Sequence, residues 1–225
     1  MRPAFSLASA LLLAVCARAD ARVPSASAVR APAQAPKPAV SVVDPRVIRA
    51  DMARIDGKPN AKLWILVISD FQCPFCKEYH DKTGKVIHKD YVETGIARMA
   101  YINYPLKVHR NAIPAAEAAM CGGAQDSFWP FHDKLFASVA KWGTAASPAP
   151  IFEGIAAALK LNRDLYKKCV ADHVMLPMIQ ADYQRGTQAG ATSTPTFLIG
   201  RVVIPGNAPI EVFRAAIRES LAGNM

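Results

Sequence analysis

The chain has no second CxxC motif, and past its first twenty residues it has no apolar run near the roughly 20 residues that span a bilayer. The first absence argues against a four-cysteine zinc site, the second against a membrane-spanning body. Negative charge is in short supply: 18 Asp and Glu face 27 Lys and Arg, a net charge of +9 over 225 residues. The basic residues are scattered, with no dense run and no nucleic-acid motif, so a solvated surface explains them and nucleic acid is not an expected partner. No internal repeat is visible.

Cysteine is sparse, and its placement is informative. Residues 1–19 read as an export signal. Arg2 gives a positive start, and residues 4–15 are apolar apart from Ser6 and Ser9. Ala17 and Ala19 put small residues where a signal peptidase reads. Lipid attachment at Cys16 is set aside, because Val15 is larger than the residue such cleavage needs. Losing this segment would leave a charge of +7 and four of the five cysteines: Cys73, Cys76, Cys121 and Cys169. An even number in an oxidising compartment favours disulfides over structural metal.

Residues 20–46 are dense in proline, alanine and serine and read as a semi-extended tether. Residues 62–70 (KLWILVISD) follow a turn signal and form an almost continuous apolar run, the pattern of a strand buried on both faces. Next come Phe71, Gln72, Cys73, Pro74, Phe75 and Cys76. A helix from 77 to about 93 is expected, with Gly84 as a kink, and then a strand over 97–106. Residues 107–190 predict four or five short helices. Among them are an alanine-rich one stopped by Gly122 and Gly123 and one with a buried stripe of Phe128, Phe131, His132, Leu135, Phe136 and Val139. Asn162 is a candidate helix cap. Residues 196–199 and 202–204 predict a hairpin around Gly200 and Arg201, and Asn207 is expected to cap a last helix.

A CxxC at a strand–helix junction carries chemistry. Cys73 falls where the unpaired N–H groups of a helix start favour an anion, so its pKa is expected below the usual value of about 8.5. Pro74 suits the first helical turn. Cys76, one turn deeper, can close a small ring. Cys73 then exchanges with partners, its sulfur anionic and exposed to them, and Cys76 resolves the mixed disulfide. A zinc role lacks partner ligands: His80, His88, His109, His132 and His173 form no cluster in sequence, and His80 fits an exposed polar helix face. A purely structural CxxC disulfide is the plainer alternative. So is a chaperone holding a soft ion such as Cu(I), for which no methionine cluster or histidine pair speaks.

The combination FQCPFCKEYH, a helical stretch and TPTFLIG resembles the DsbA-like branch of the thioredoxin superfamily over about residues 60–222. The resemblance implies an α/β thioredoxin fold, at 47–106 and 191–225, with an inserted all-helical subdomain at 107–190. It implies thiol–disulfide oxidoreductase activity without a cofactor or a metal. It places a cis peptide at Thr194–Pro195 facing the CxxC, and makes Pro74, Phe75, Thr194 and Pro195 the support and substrate-binding residues. Similarly placed cysteines join two helices in some exported relatives, which would pair Cys121 with Cys169; two free thiols are the alternative. Exported client proteins and a membrane redox partner are the implied partners, with the protein a periplasmic or otherwise extracytoplasmic monomer. Two features depart from the pattern. Val67 stands where many relatives carry a buried acid, and Phe75 is not the usual residue between the cysteines. Dithiol oxidation is the expected direction, isomerase or reductase action the alternative. Asp70, the nearest acid, is expected only to end its strand.

Overall fold

Residues 43–223 are described by a computed structural model; residues 1–19 with Cys16, read above as an export signal, and the proline-rich stretch through residue 42 lie outside them. The stretch read as tether through residue 46 ends sooner. The Asp44 carboxylate accepts the Arg46 backbone N–H at 2.8 Å and pairs with its guanidinium, and Pro45 opens helix α1 (Pro45–Ala53).

Strand β1 (Ile55–Asp56) leads to β2 (Leu63–Ser69), α2 (Pro74–Asp81), α3 (Thr83–Ile87) with a π-helical turn at His88–Val92, and β3 (Ala97–Asn103). Five helices follow: α4 (Ala112–Gly123), α5 (Phe128–Trp142), α6 (Ala149–Ala158), α7 (Arg163–Ala171) and α8 (Leu176–Gln188). The hairpin β4 (Thr196–Ile199) and β5 (Val202–Pro205) and helix α9 (Ile210–Ala222) complete the order. This is a mixed α/β sheet with an all-helical insertion, the architecture the resemblance implies. The strands lie in the order β1-β3-β2-β4-β5, with β2 and β3 parallel and the other neighbours antiparallel. Strand β2 is central, which accounts for its unbroken apolar run.

Two cores pack against the sheet. Leu63, Ile65, Val67, Phe197 and Ile199 pack with Tyr79 of α2 and with Phe213 and Ile217 of α9. Toward the insertion, Phe71 and Tyr101 meet Phe128, Phe131, Leu135 and Phe136 of α5. A buried ion pair ties three elements to the second core. Arg54, just after α1, bonds to Asp182 of α8 and, at 3.1 Å, to the Tyr101 carbonyl of β3, and Asn103 Nδ2 donates to the same Asp182 at 2.9 Å. Removing one member would leave the other charge buried and uncompensated. None of the described helices is long and apolar enough to cross a membrane.

Two local expectations are corrected. The helix after the CxxC breaks at Lys82 (φ −119°, ψ −91°), not at Gly84. Gly84 is needed for a different reason: a Cβ there would stand 2.9 Å from the Tyr79 carbonyl oxygen. Helix α4 does end at Gly123, as expected of the Gly122 and Gly123 pair, but Gly122 has a packing reason as well. It lies inside the helix, where a Cβ would meet the Phe131 ring at 2.7 Å, so it allows the close approach of α4 to α5. Asn207 does not cap α9. Pro209 biases the residue before it toward extended backbone, so the helix starts only after the proline. Asn162 does cap α7, accepting from the N–H groups of Asp164 and Leu165.

Cys121 of α4 and Cys169 of α7 are bonded (S–S 2.04 Å), closing a sequence separation of 48. Replacing both by alanine should lower unfolding stability by about 4 kcal/mol on the loop-entropy account, read as a reduced urea midpoint with the slope checked for changes in the denatured state. An unchanged midpoint would mean that packing of α4 against α7 alone supplies the constraint.

Candidate active site

The turn between β2 and α2 is built on Asp70. Its buried carboxylate accepts the Gln72 N–H at 2.7 Å and the Leu106 N–H at 2.8 Å, and meets His109 Nδ1 at 2.8 Å, while its carbonyl accepts the Cys73 N–H at 3.1 Å. Asp70 therefore does more than end its strand. Gln72 extends the clamp into the insertion: Oε1 accepts the Asn111 N–H at 2.8 Å, and Nε2 donates to the Gly143 carbonyl at 2.9 Å. Asn111 Nδ2 in turn donates to the Trp142 and Ala145 carbonyls, both at 2.9 Å. No sequence pattern flagged Gln72 or Asn111. The signal for Asp70, a carboxylate closing a buried strand directly before a CxxC, was available.

Cys73 occupies the N-cap of α2 in extended conformation (φ −70°, ψ 125°), and Pro74 is the first helical residue. The peptide Thr194–Pro195 is cis, and the Thr194 carbonyl lies 3.4 Å from Cys73 Sγ. Cys73, Cys76, Pro74, Thr194 and Pro195 thus converge on one point, with Phe75 beside them and 60% exposed. The expected open sulfur needs correction. Cys73 is only 3% exposed, because the Thr194–Pro195 loop covers it, and Cys76 is 1% exposed. Both are free thiols. Cys121 and Cys169 lie in the helical insertion and belong to its packing.

The electrostatics separate the two sulfurs. A hydrogen bond from the Cys76 thiol does most to favour a Cys73 thiolate. Burial opposes it, and the Thr194 hydroxyl and the N–H groups of Cys76 and Phe75 add to it, so the Cys73 pKa falls to about 6. The helix start contributes as expected, but the neighbouring thiol outweighs it. The Thr194 hydroxyl is buried and has no hydrogen-bond partner among the described residues, which leaves it free to turn toward a thiolate; in the thiol form it is the Thr194 carbonyl that accepts from Cys73 Sγ. Cys76 moves the opposite way. Burial first, then the neighbouring sulfur, push its pKa well above the ordinary thiol value.

Histidines that are far apart in sequence come together behind Cys76. His80 is half-buried, not on an open polar face. It stacks on Phe136 and lies edge-on to His132, and both rings bond to Asp133. The His80, His132 and Asp133 ligand atoms lie within 4.8 Å of one another, a grouping invisible in the linear spacing of 52 residues between His80 and His132.

Two outcomes follow. Thr194→Val should raise the Cys73 pKa by roughly one pH unit, seen as a shifted pH profile of iodoacetamide alkylation, since a hydrogen bond to a charged group is worth about 1.5–3 kcal/mol. A profile that does not move would remove the hydroxyl from the thiolate's donors. The depressed Cys73 pKa also links to stability. Its contribution is complete above the unfolded value near 8.5 and is lost as pH falls through about 6. Reduced protein should therefore gain stability relative to oxidised protein between about pH 6 and 8.5, below the range where Cys76 would act in the opposite sense. Parallel stability curves for the two redox forms would contradict the thiolate.

Sequence and structural comparisons agree with this geometry. The family described as Thioredoxin matches residues 50–219. The chain is 23% identical over 172 residues to Disulfide bond formation protein D of Bacillus subtilis (strain 168), covering 74% of this chain and 76% of that one. It resembles the structure of oxidised BdbD from Bacillus subtilis with a TM-score of 0.69 at 21% identity, covering 78% of this chain and 95% of that one. It resembles alpha-DsbA1 of Wolbachia pipientis with a TM-score of 0.68 at 21% identity, covering 76% and 92%. The chain belongs to the thioredoxin family, as a DsbA-like thiol–disulfide oxidoreductase.

Proposed function

We propose that the protein is an exported dithiol oxidase that introduces disulfides into other exported proteins through Cys73 and Cys76. The observation that carries this reading is the asymmetry of the two sulfurs, one held as a thiolate and the other buried and protonated. A stabilised thiolate favours the reduced form, so the Cys73–Cys76 disulfide is a good electron acceptor. A client thiolate attacks Cys73 Sγ, the Cys73–Cys76 bond breaks, and Cys76 leaves and takes a proton. The client's second thiolate then attacks the client sulfur of the mixed disulfide, which releases the Cys73 thiolate and the client disulfide. The client loses two electrons, and the enzyme holds them as one thiol and one thiolate.

Clients reach Cys73 beside exposed Phe75 and the Thr194–Pro195 loop, where an extended chain can pair with the Thr194 backbone. Export rests on residues 1–19 and places the protein in the periplasm or another extracytoplasmic space. A membrane partner would reoxidise it, and it acts as a monomer.

The reduction potential tests the direction. A value nearer the about −120 mV of a strong oxidant than the about −270 mV of a thioredoxin is expected, and a value at the latter end would make the protein a reductase. For the roles of the sulfurs, Cys73→Ser should abolish exchange with a client peptide, while Cys76→Ala should accumulate mixed disulfides detectable by mass. Equal accumulation from both variants would reverse or dissolve the assignment.

A further inference from the structure

Behind Cys76 lies a cavity of about 410 Å³ that the exchange chemistry alone does not explain. Val67, Ser69 and Cys76 line it together with His80, His132 and Asp133. Three further polar groups on its wall, the Tyr79 and Tyr101 hydroxyls and the Trp129 indole N–H, have no hydrogen-bond partner among the described residues. Leaving each of them dry would cost about 1–3 kcal/mol, and the space is ample for several waters with two or more polar contacts each. A hydrated cavity therefore touches the buried thiol.

That thiol needs a way to move its proton. Cys76 is almost fully covered and its pKa is pushed up, so it is not a thiolate at neutral pH. The position that could have supplied a carboxylate beside it is Val67, which offers no acceptor. The Ser69 hydroxyl faces both the Cys76 thiol and the Tyr101 hydroxyl. At the other end Asp133 Oδ1 lies 2.8 Å from His132 Nδ1 and 3.1 Å from His80 Nε2. A carboxylate only accepts, so neutral His132 carries its proton on Nδ1 and keeps Nε2 as an acceptor, on a ring that lines the cavity. The Asp133 side chain is 64% exposed and joins the cluster to solvent.

We infer that His132, oriented by Asp133 and flanked by His80, is the proton acceptor for Cys76, reached through water held between Ser69, Tyr101 and the imidazole. The inference rests on the exchange function proposed above and assigns one of its steps. When Cys76 attacks the mixed disulfide on Cys73, its S–H proton passes along the water to His132 and on to solvent at Asp133. The Cys76–Cys73 bond forms, the bond from Cys73 to the partner sulfur breaks, and the partner leaves as a thiolate. The reverse step returns the proton. Burial keeps His132 neutral, the form that can accept. For His80, burial opposes the charge, but hydrogen bonds to Asp133 and Asp81 outweigh it and raise its pKa. Asp56, Lys85, His88, Lys89 and Glu93 face the cavity from its other wall with mixed charge.

The test uses the full chain, reduced and mixed with glutathione disulfide, with resolution of the Cys73 mixed disulfide followed by acid quench and mass from pH 5 to 9. In His132→Gln and Asp133→Asn the resolving step should slow at least about tenfold at pH 7, and the deficit should shrink as hydroxide takes over at high pH. Alkylation of Cys73 should keep its pH profile. Superimposable resolution profiles for wild type and both variants would overturn the relay. The exposed Asp133 side chain keeps the test open should His132→Gln fold poorly. Zinc that stays bound to wild type through dialysis and is lost in Asp133→Asn would make the cluster a metal site and likewise overturn the relay. A wild type that forms no mixed disulfide at all would sink the exchange function itself, an outcome distinct from a relay that fails in a working enzyme.

Discussion

One negative charge, on a sulfur almost cut off from water, sets the requirements for the rest of this structure. Burial works against an anion on Cys73, so the charge is tolerated only because the Cys76 thiol, the nearby Thr194 hydroxyl and two backbone N–H groups favour it. Each donor comes from a different constraint. The helix start supplies the N–H groups, the one-turn spacing of the motif supplies Cys76, and a loop more than a hundred residues later supplies Thr194. Shifting any of them would move the Cys73 pKa back toward the ordinary thiol value.

The sheet and the insertion hold those donors in place together. Asp70 gathers three N–H donors onto one buried carboxylate and fixes the turn that delivers Cys73. Gln72 and Asn111 carry the same turn into the carbonyls at the end of α5, so the helical insertion is bonded to the site instead of hanging from it. The insertion is stiffened in turn by the Cys121–Cys169 bond and by the buried Arg54–Asp182 pair that anchors α8 to α1 and β3. The cost of so much buried polarity is offset by its completeness, since the Asp182 and Asp70 carboxylates each accept several bonds.

Much of this was legible in the sequence where the physics is local. The unbroken apolar run of β2 announced a central strand, the Phe128 to Phe136 stripe announced α5, and the CxxC announced the helix start, because each pattern repeats the geometry that buries it. What stayed hidden was set by distant partners. A lone Asp70 gives no hint that Leu106 and His109 will reach it. His80 and His132 look unrelated until α2 and α5 face each other across the cavity. Gly122 read as part of a helix stop and Gly84 as a kink, with no hint that a ring of α5 and a carbonyl of the previous turn also require a glycine there. The openness of Cys73 was misjudged for the same reason: the segment that covers it lies far along the chain.

The ultraviolet absorbance of thiolate in the reduced protein, titrated from pH 4 to 10, bears most directly on the central claim. One sulfur should ionise with a midpoint near 6, and Cys73→Ser should abolish that transition. A single rise near the ordinary value of about 8.5, unaltered in that variant, would contradict the account.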